Sequence, residues 1–198
     1  MSLRLWLASI WMPRASLRRE LLHVEEVTNA ALDTALYQAV PDYRPEELEG
    51  VGKGIAGLRV RMAQGHRRRV ELLIGTLGKQ KALVIGRGAL FQAGLRLGNE
   101  ARSRLGVKDK PDDLLRAARI MYRVLGIEFD MTFKDGRGDM RVHRCALADH
   151  YTADTCAILS ATDEGTVHGL SPKAEMRFAQ HITSGNEECI ADVTFVEG

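Results

Sequence analysis

Between Ala15 and Val40 the apolar positions Leu17, Leu21, Val24, Val27, Ala31, Ala35 and Tyr37 recur close to helical spacing, and Pro41 stops the run. The pattern predicts a long amphipathic helix. A second helical stretch is predicted over Pro45 to Leu77, with Gly50, Gly52, Gly54 and Gly57 loosening its first part, because glycine is a poor helix former. A third is predicted from Lys81 to Leu105. On it Gly94, Gly98 and Ala101 fall at a small-residue spacing that admits another backbone closely. A fourth spans Pro111 to Leu125: its Pro-Asp-Asp start suits the positive end of a helix dipole, and Gly126 closes it.

Beyond Gly126 the period changes from helical to two. Ile127, Phe129, Met131 and Phe133 alternate with Glu128, Asp130 and Thr132, as in a half-buried strand. Turn residues fill Lys134 to Gly138, and Met140 to Ala146 reads as the returning strand of a hairpin. A helix is predicted over Ala148 to Leu170, with Gly169 near its end and Pro172 just beyond. Ala174, Met176, Phe178, Gln180 and Ile182 then alternate, Ser184-Gly185-Asn186 turns, and Cys189, Ala191, Val193 and Phe195 alternate in a last strand. Helices first and antiparallel strands later make the class α+β: N-terminal helices packed with a C-terminal antiparallel β-β-α-β-β unit. With no internal repeat or low-complexity stretch, one domain over 1–198 is expected, helical over 1–125 and β-β-α-β-β over 126–196.

Composition narrows the picture more than it names a function. A chain of 198 residues that is 45% hydrophobic can bury a sizeable core. Its 28 basic and 26 acidic residues leave a net charge of +2, so no overall pull toward nucleic acid or anionic membrane is expected. No stretch reaches the roughly 20 apolar residues that cross a bilayer. The segment Met1 to Met12 resembles a short signal core but lacks a small-residue cleavage site and runs into Pro13-Arg14, so export is not expected. Three cysteines, an odd and sparse set, read as reduced thiols in a cytoplasm.

Candidate chemistry gathers in the last third. Gly52-Lys53-Gly54 and Gly86-Arg87-Gly88 lack the spacing and the βαβ setting of phosphate loops. His66-Arg67-Arg68-Arg69 reads first as a solvated helix face and second as a site for an anionic partner. On the Ala148 to Leu170 helix, Cys156, Ser160, Asp163 and Val167 share one stripe, with Glu164 and His168 on its flank. Either this stripe faces solvent or it lines a polar pocket; the plain alternative is that Cys156 is a small buried hydrophobe and Asp163-Glu164 surface charge. Cys145, at the exit of the second strand, and Cys189, at the entry of the last, come close to that helix if the sheet packs on it. The three thiols with His143, His150 and His168 have the ligand chemistry of zinc, but no C-x-x-C pair is present, so the metal is left unknown, as is any cofactor. A thiolate nucleophile would need an imidazolium beside it.

The order Cys145-Ala146-Leu147, Cys156, Asp163-Glu164, Gly169-Leu170-Ser171-Pro172 and Gly185-Asn186-Glu187-Glu188-Cys189 resembles the L-2-amino-thiazoline-4-carboxylic acid hydrolase family, and more distantly the vinyl-reductase-type ligand-binding domains. The resemblance covers about Gly126 to Phe195. It implies a fold shared with vesicle-tethering subunits of the TRAPP type, often homodimeric, with a small-molecule cavity between helices and sheet. It also implies hydrolytic opening of a cyclic amidine, a thiazoline bearing a carboxylate. In that reading Cys145, Cys156 or Cys189 serves as nucleophile or ligand and Asp163 or Glu164 as general base. Ser160 and His168 contact substrate, and Arg144 or Arg177 holds its carboxylate. The chain departs from the family pattern at Ser160, where a cysteine is expected, and at Ala191, where an aromatic residue is expected. The rival readings are a non-catalytic sensor or carrier of an apolar or tetrapyrrole-like ligand, and an interaction module using the Ala15 to Val40 helix.

Overall fold

The computed structural model describes residues 2–45 and 54–195. Among these residues six helices are α1 (Leu3–Ile10), α2 (Arg14–Ala39), α3 (Gly54–Leu77), α4 (Lys79–Leu105), α5 (Pro111–Leu125) and α6 (Ala153–Leu170), and four strands are β1 (Ile127–Lys134), β2 (Arg137–Cys145), β3 (Ala174–Gln180) and β4 (Cys189–Phe195). The sheet is antiparallel with order β1-β2-β4-β3, two hairpins joined through β2 and β4. This is the expected α+β arrangement.

The helices from Arg14, Lys79 and Pro111 lie within two residues of their expected starts. The second expected helix begins at Gly54, and its Glu46 to Lys53 portion lies outside the described residues. Two differences have local causes. The first hairpin turns on two residues, Asp135 (φ 50°) and Gly136 (φ 73°), so β2 starts at Arg137 rather than Met140. The expected helix from Ala148 is a single 3-10 turn, Ala148–His150, and then a fresh start at Ala153, because Thr152 is extended and its hydroxyl accepts the Thr155 N–H. That break swings Tyr151 inward. Residues read as resembling a signal core form α1, with Leu5 fully buried.

The sheet buries one face under α5 and α6. Met131, Met140, Val142, Met176, Ala191 and Val193 meet Leu114, Ala117, Ile120, Val167 and Leu170 in the largest core. Asp130, Asp139, Arg141, Arg177 and Asp192 face solvent on the other side. Behind α6 lies α4, and α2 and α3 pack on α4.

The small residues expected to admit another backbone do so, and the backbone is that of α6. A Cβ on Gly94 would lie 2.0 Å from the Thr162 carbonyl oxygen, and one on Gly98 2.3 Å from that of Thr166. The relation is mutual: a Cβ on Gly165 would lie 2.1 Å from the Phe91 carbonyl oxygen. Thr166 Oγ1 donates across the seam to the Gly94 carbonyl, 3.2 Å away. This contact fixes how α6 is rotated, and so which of its side chains point to α5 and the sheet.

Candidate functional site

The stripe on α6 is enclosed rather than solvated: Ser160 and Val167 are buried and Cys156 and Asp163 partly so. Cys145 from the end of β2 and Cys189 from the start of β4 approach it, near enough that charges on Cys145, Cys156, Cys189 and Asp163 act on one another. Burial pushes the Cys145 thiol up to about 11 and the Cys156 thiol up to about 12, and raises that of Cys189, whose Sγ accepts the Ile182 N–H at 3.3 Å. All three are therefore neutral near pH 7.

The imidazolium that a thiolate nucleophile would need is not supplied by His181, which adjoins the Ile182 that donates to Cys189 but whose pKa burial lowers, and two of the three other candidates pair elsewhere. His143 stands on the solvent face of the sheet with Asp130, 3.0 Å away, and Glu188. His168 lies along Phe91, its Nδ1 3.3 Å from the Ala174 carbonyl. His150 ends the 3-10 turn before α6. Among the described residues no three of His, Cys, Asp and Glu gather as a metal-binding group.

Asp163 is the distinctive group. Burial pushes its carboxyl up to about 7, against the hydrogen bond from Tyr122 that favours the charged form, with the nearby Glu164 charge adding to the rise. It lines a cavity of about 260 Å³ between α1, α2, α4, α5 and α6, whose walls include Trp11, Met12, Leu97, Ile120, Met121 and Tyr122. The exposed rim carries Arg19 and Arg104, which share Glu20, and His23, paired with Glu100 at 2.6 Å. On the sheet side of Tyr122 and Asp163 a narrow apolar crevice continues among Met121, Met131, Met140 and Met176.

A second buried polar chain reaches the cluster through Tyr151. Its hydroxyl lies 2.7 Å from His66 Nδ1, and His66 Nε2 lies 2.7 Å from Thr28 Oγ1. Thr28 Oγ1 is 2.7 Å from the Val24 carbonyl oxygen. One proton order gives every donor an acceptor: Thr28 O–H donates to Val24, His66 Nε2–H to Thr28, and Tyr151 O–H to His66 Nδ1. The phenol oxygen is then an acceptor on the thiol and Asp163 side, where charges on Cys145, Cys156 and Asp163 all raise its pKa after burial. Burial, aided by Arg69, holds His66 down to about 3, so the ring is neutral.

The predicted set thus divides. Cys145, Cys156, Cys189 and Asp163 come together. Ser160 and Glu164 instead bind Arg87 of α4, which donates to Ser160 Oγ at 2.9 Å and to both Glu164 oxygens at 2.8 and 2.7 Å. Arg87 and Glu164, with His168 and Arg177, border an open groove of about 510 Å³. Arg144 is exposed beside Glu128, 3.6 Å away, and contacts neither group.

Sequence reasoning missed Tyr122, Tyr151, His66, Thr28 and Arg87. His66 and Arg69 were expected on a solvated face, yet they are 2% and 9% exposed, and Arg69 donates to Asp33 at 2.7 Å. A signal was present: His66 stands four after Met62 and four before Val70, on the stripe that α3 buries.

Fold and site together define an α+β protein with a buried carboxyl on a small-molecule-sized cavity. The profile of the L-2-amino-thiazoline-4-carboxylic acid hydrolase family matches residues 60–191, and the chain belongs to that family. No curated protein matches it. Among solved structures, a trafficking protein particle complex subunit 3 from Naegleria fowleri, covalently bound to palmitic acid, is 14% identical with a TM-score of 0.54, over 70% of this chain and 95% of that one. The two share a fold. The phenol-responsive sensory domain of the transcription activator PoxR with phenol is 16% identical with a TM-score of 0.48, over 84% of this chain and 89% of that one. An H-NOX protein from S. oneidensis is 13% identical with a TM-score of 0.42, over 90% and 98%. No helix among the described residues is long and apolar enough to cross a membrane.

Proposed function

We propose that this chain is a small-molecule hydrolase in which Asp163 moves the proton, acting on a cyclic amidine such as a thiazoline carboxylate. The observation that carries the reading is the enclosed Asp163 carboxyl, held at about 7 where the cavity and Tyr122 meet. Near neutral pH such a group exists in both forms and serves in turn as base and acid. As carboxylate it takes a proton from water while the oxygen adds to the amidine carbon. It then passes that proton to the ring nitrogen, which already carries one in the amidinium form, and takes up the proton of the added hydroxyl as the carbon–nitrogen bond opens, leaving a carbonyl and a free amine. Tyr122, donating to Asp163, orients the carboxylate. Cys145, Cys156 and Cys189 stand near Asp163 as neutral thiols, and Arg19 and Arg104 at the cavity rim suit the carboxylate of the substrate.

Turnover of L-2-amino-thiazoline-4-carboxylic acid by the wild type, with a loss of about 100-fold or more in Asp163→Asn, supports the assignment. Equal rates in a folded Asp163→Asn variant overturn it. Cys156→Ala, made alongside, keeps most of the activity if the thiols are neighbours only.

The apolar walls of the cavity and the methionine crevice behind it favour a second reading, a carrier or sensor of an apolar ligand. Native mass spectrometry distinguishes the two: a copurified apolar molecule, with no turnover, supports the carrier. Both readings include a homodimer, visible in the same spectra, and a reducing cytoplasm that keeps the thiols free.

A further inference from the structure

The first helix leaves a bare apolar face. α1 is fixed to the body by its inner side: Leu5 is fully buried, Ala8 and Met12 pack on the same core, and Ser2 Oγ donates to the Leu105 carbonyl. Arg123 holds the far end by donating to the Ser9 carbonyl at 2.9 Å. The outer side carries Leu3, Trp6, Leu7 and Ile10, at the i, i+3, i+4, i+7 spacing of one helix face, and Trp11 continues it. Leu3 is 70% and Trp11 72% exposed, and no described element covers them. Five large apolar side chains within nine residues make a patch, not the scattered exposure ordinary on a soluble surface.

Charge says what covers it. Arg4, Arg14, Arg18 and Arg19 are all exposed, and the first acidic residue of the chain is Glu20. Four positive charges and no negative one stand here, in a chain whose net charge is only +2, so the remainder is slightly acidic. Arg19 leans toward Glu20, 3.5 Å away; Arg4 flanks the apolar face, and Arg14 and Arg18 are one turn apart at the start of α2. A protein partner of opposite charge would need acidic groups around an apolar centre. An anionic bilayer surface offers that pairing by itself, with tryptophan favoured at the headgroup level and arginine stems extending to the lipid phosphates.

We propose that α1 docks on an anionic lipid surface, lying in the headgroup region with Trp6 and Trp11 inserted and Arg4, Arg14 and Arg18 against the headgroups. Its eight residues are far too short to span a bilayer, so the association is peripheral. Ala8, Trp11, Met12 and Pro13 also line the cavity that ends at Asp163, so docking places its mouth beside the lipid.

Both tryptophans of the chain lie in this segment, so intrinsic fluorescence reads it alone. The full chain is mixed with vesicles of phosphatidylcholine, with and without phosphatidylserine. Docking gives a blue-shifted emission and co-flotation with the anionic vesicles, about tenfold or more weaker on neutral ones, and weakened again when salt shortens the Debye length to about 3 Å. Leu7→Glu with Ile10→Glu, at two exposed positions, abolishes the shift and the flotation while leaving the thermal midpoint within a few degrees. Arg14→Glu with Arg18→Glu weakens flotation on anionic vesicles by about tenfold and hardly changes it on neutral ones. No flotation, or flotation indifferent to lipid charge, overturns the proposal. So does emission already blue-shifted without lipid in a protein that sediments as a dimer, since a second copy then covers the face.

Discussion

Along α6 the line of closest approach to α4 is glycine on both helices, whereas the side toward α5 and the ends of β2 and β4 carries Asp163 and Cys156, with Cys145 and Cys189 approaching from the strands. At the seam Gly94, Gly98, Gly165 and Gly169 bring two backbones together, with no space for a single added methyl. Opposite, burial disfavours the charged form of Asp163, next to a cavity that water or a ligand can enter. One side is rigid because nothing can shift; the other is chemically poised because its charged form is poorly solvated. The seam is what holds Asp163 in place, so the two should respond very differently to small changes.

The largest effect is expected at the seam. Gly94→Ala puts a Cβ against the Thr162 carbonyl, a backbone atom that can move only by separating the helices. We expect a loss of about 3 kcal/mol or more, read from denaturant midpoints. Gly88→Ala is the matched control on the same helix, with nothing within 4 Å of the new carbon. It should gain about 0.5–1 kcal/mol from helix propensity alone. Similar losses in both would mean that close packing does not define the seam.

How far each side could be read from sequence follows from the same contrast. Gly94 and Gly98 announce close packing because small residues at a four-residue spacing need a reason, yet Gly169 reads only as a sign of the helix end and Gly165 carries no reading of its own. The cluster is harder because its members come from separate segments. Cys145 and Cys189 could be placed near α6 once the sheet was taken to pack there. Tyr122, Tyr151 and His66 could not, since their roles depend on how α3 and α5 are rotated. The basic run at His66 to Arg69 misled because four polar residues in a row resemble a surface, whereas a helix turns the first and last of them inward together. Arg144 and Arg177 lie away from Asp163 for the opposite reason: charge at a strand position is most often on the open face of a one-sided sheet, and there both of them lie exposed.

Next in size is a pH effect at Asp163. Its carboxyl titrates near 3.8 in an unfolded chain and about 7 here, so the folded state binds the extra proton between those values. Stability contributed by this group therefore falls as pH rises through that window, and the full cost, a few kcal/mol, stands above it. Asp163→Asn removes the cost. The variant should match the wild type near pH 4 and exceed it near pH 8, the gap opening across the window. His66 works in the other direction: held down to about 3, it makes stability rise with pH up to the ordinary histidine value. Because wild type and variant share His66, its slope cancels in their difference, which isolates the carboxyl. A flat difference across pH would mean that Asp163 is solvated, and the contrast between the two sides of α6 would lose its chemical half.

The smallest effect tests the chain that leads from the cluster back into the helices. Tyr151→Phe removes the donor to His66 Nδ1 and leaves one acceptor unmatched, which should cost about 1 kcal/mol. Thr28→Ala orphans the Nε2–H, but the neutral ring can answer by moving its proton to Nδ1 and donating to the Tyr151 oxygen, so this loss is also modest. With both hydroxyls gone neither tautomer has a partner for its N–H. The double variant should therefore lose more than the sum of the single ones, by about 1 kcal/mol in a double-mutant cycle. Strict additivity would show that water replaces one of the partners and that Tyr151 and Thr28 do not communicate through His66. Synergy would show instead that the proton order at Tyr151 is set at the far end of the relay, where Thr28 donates to the Val24 carbonyl of α2.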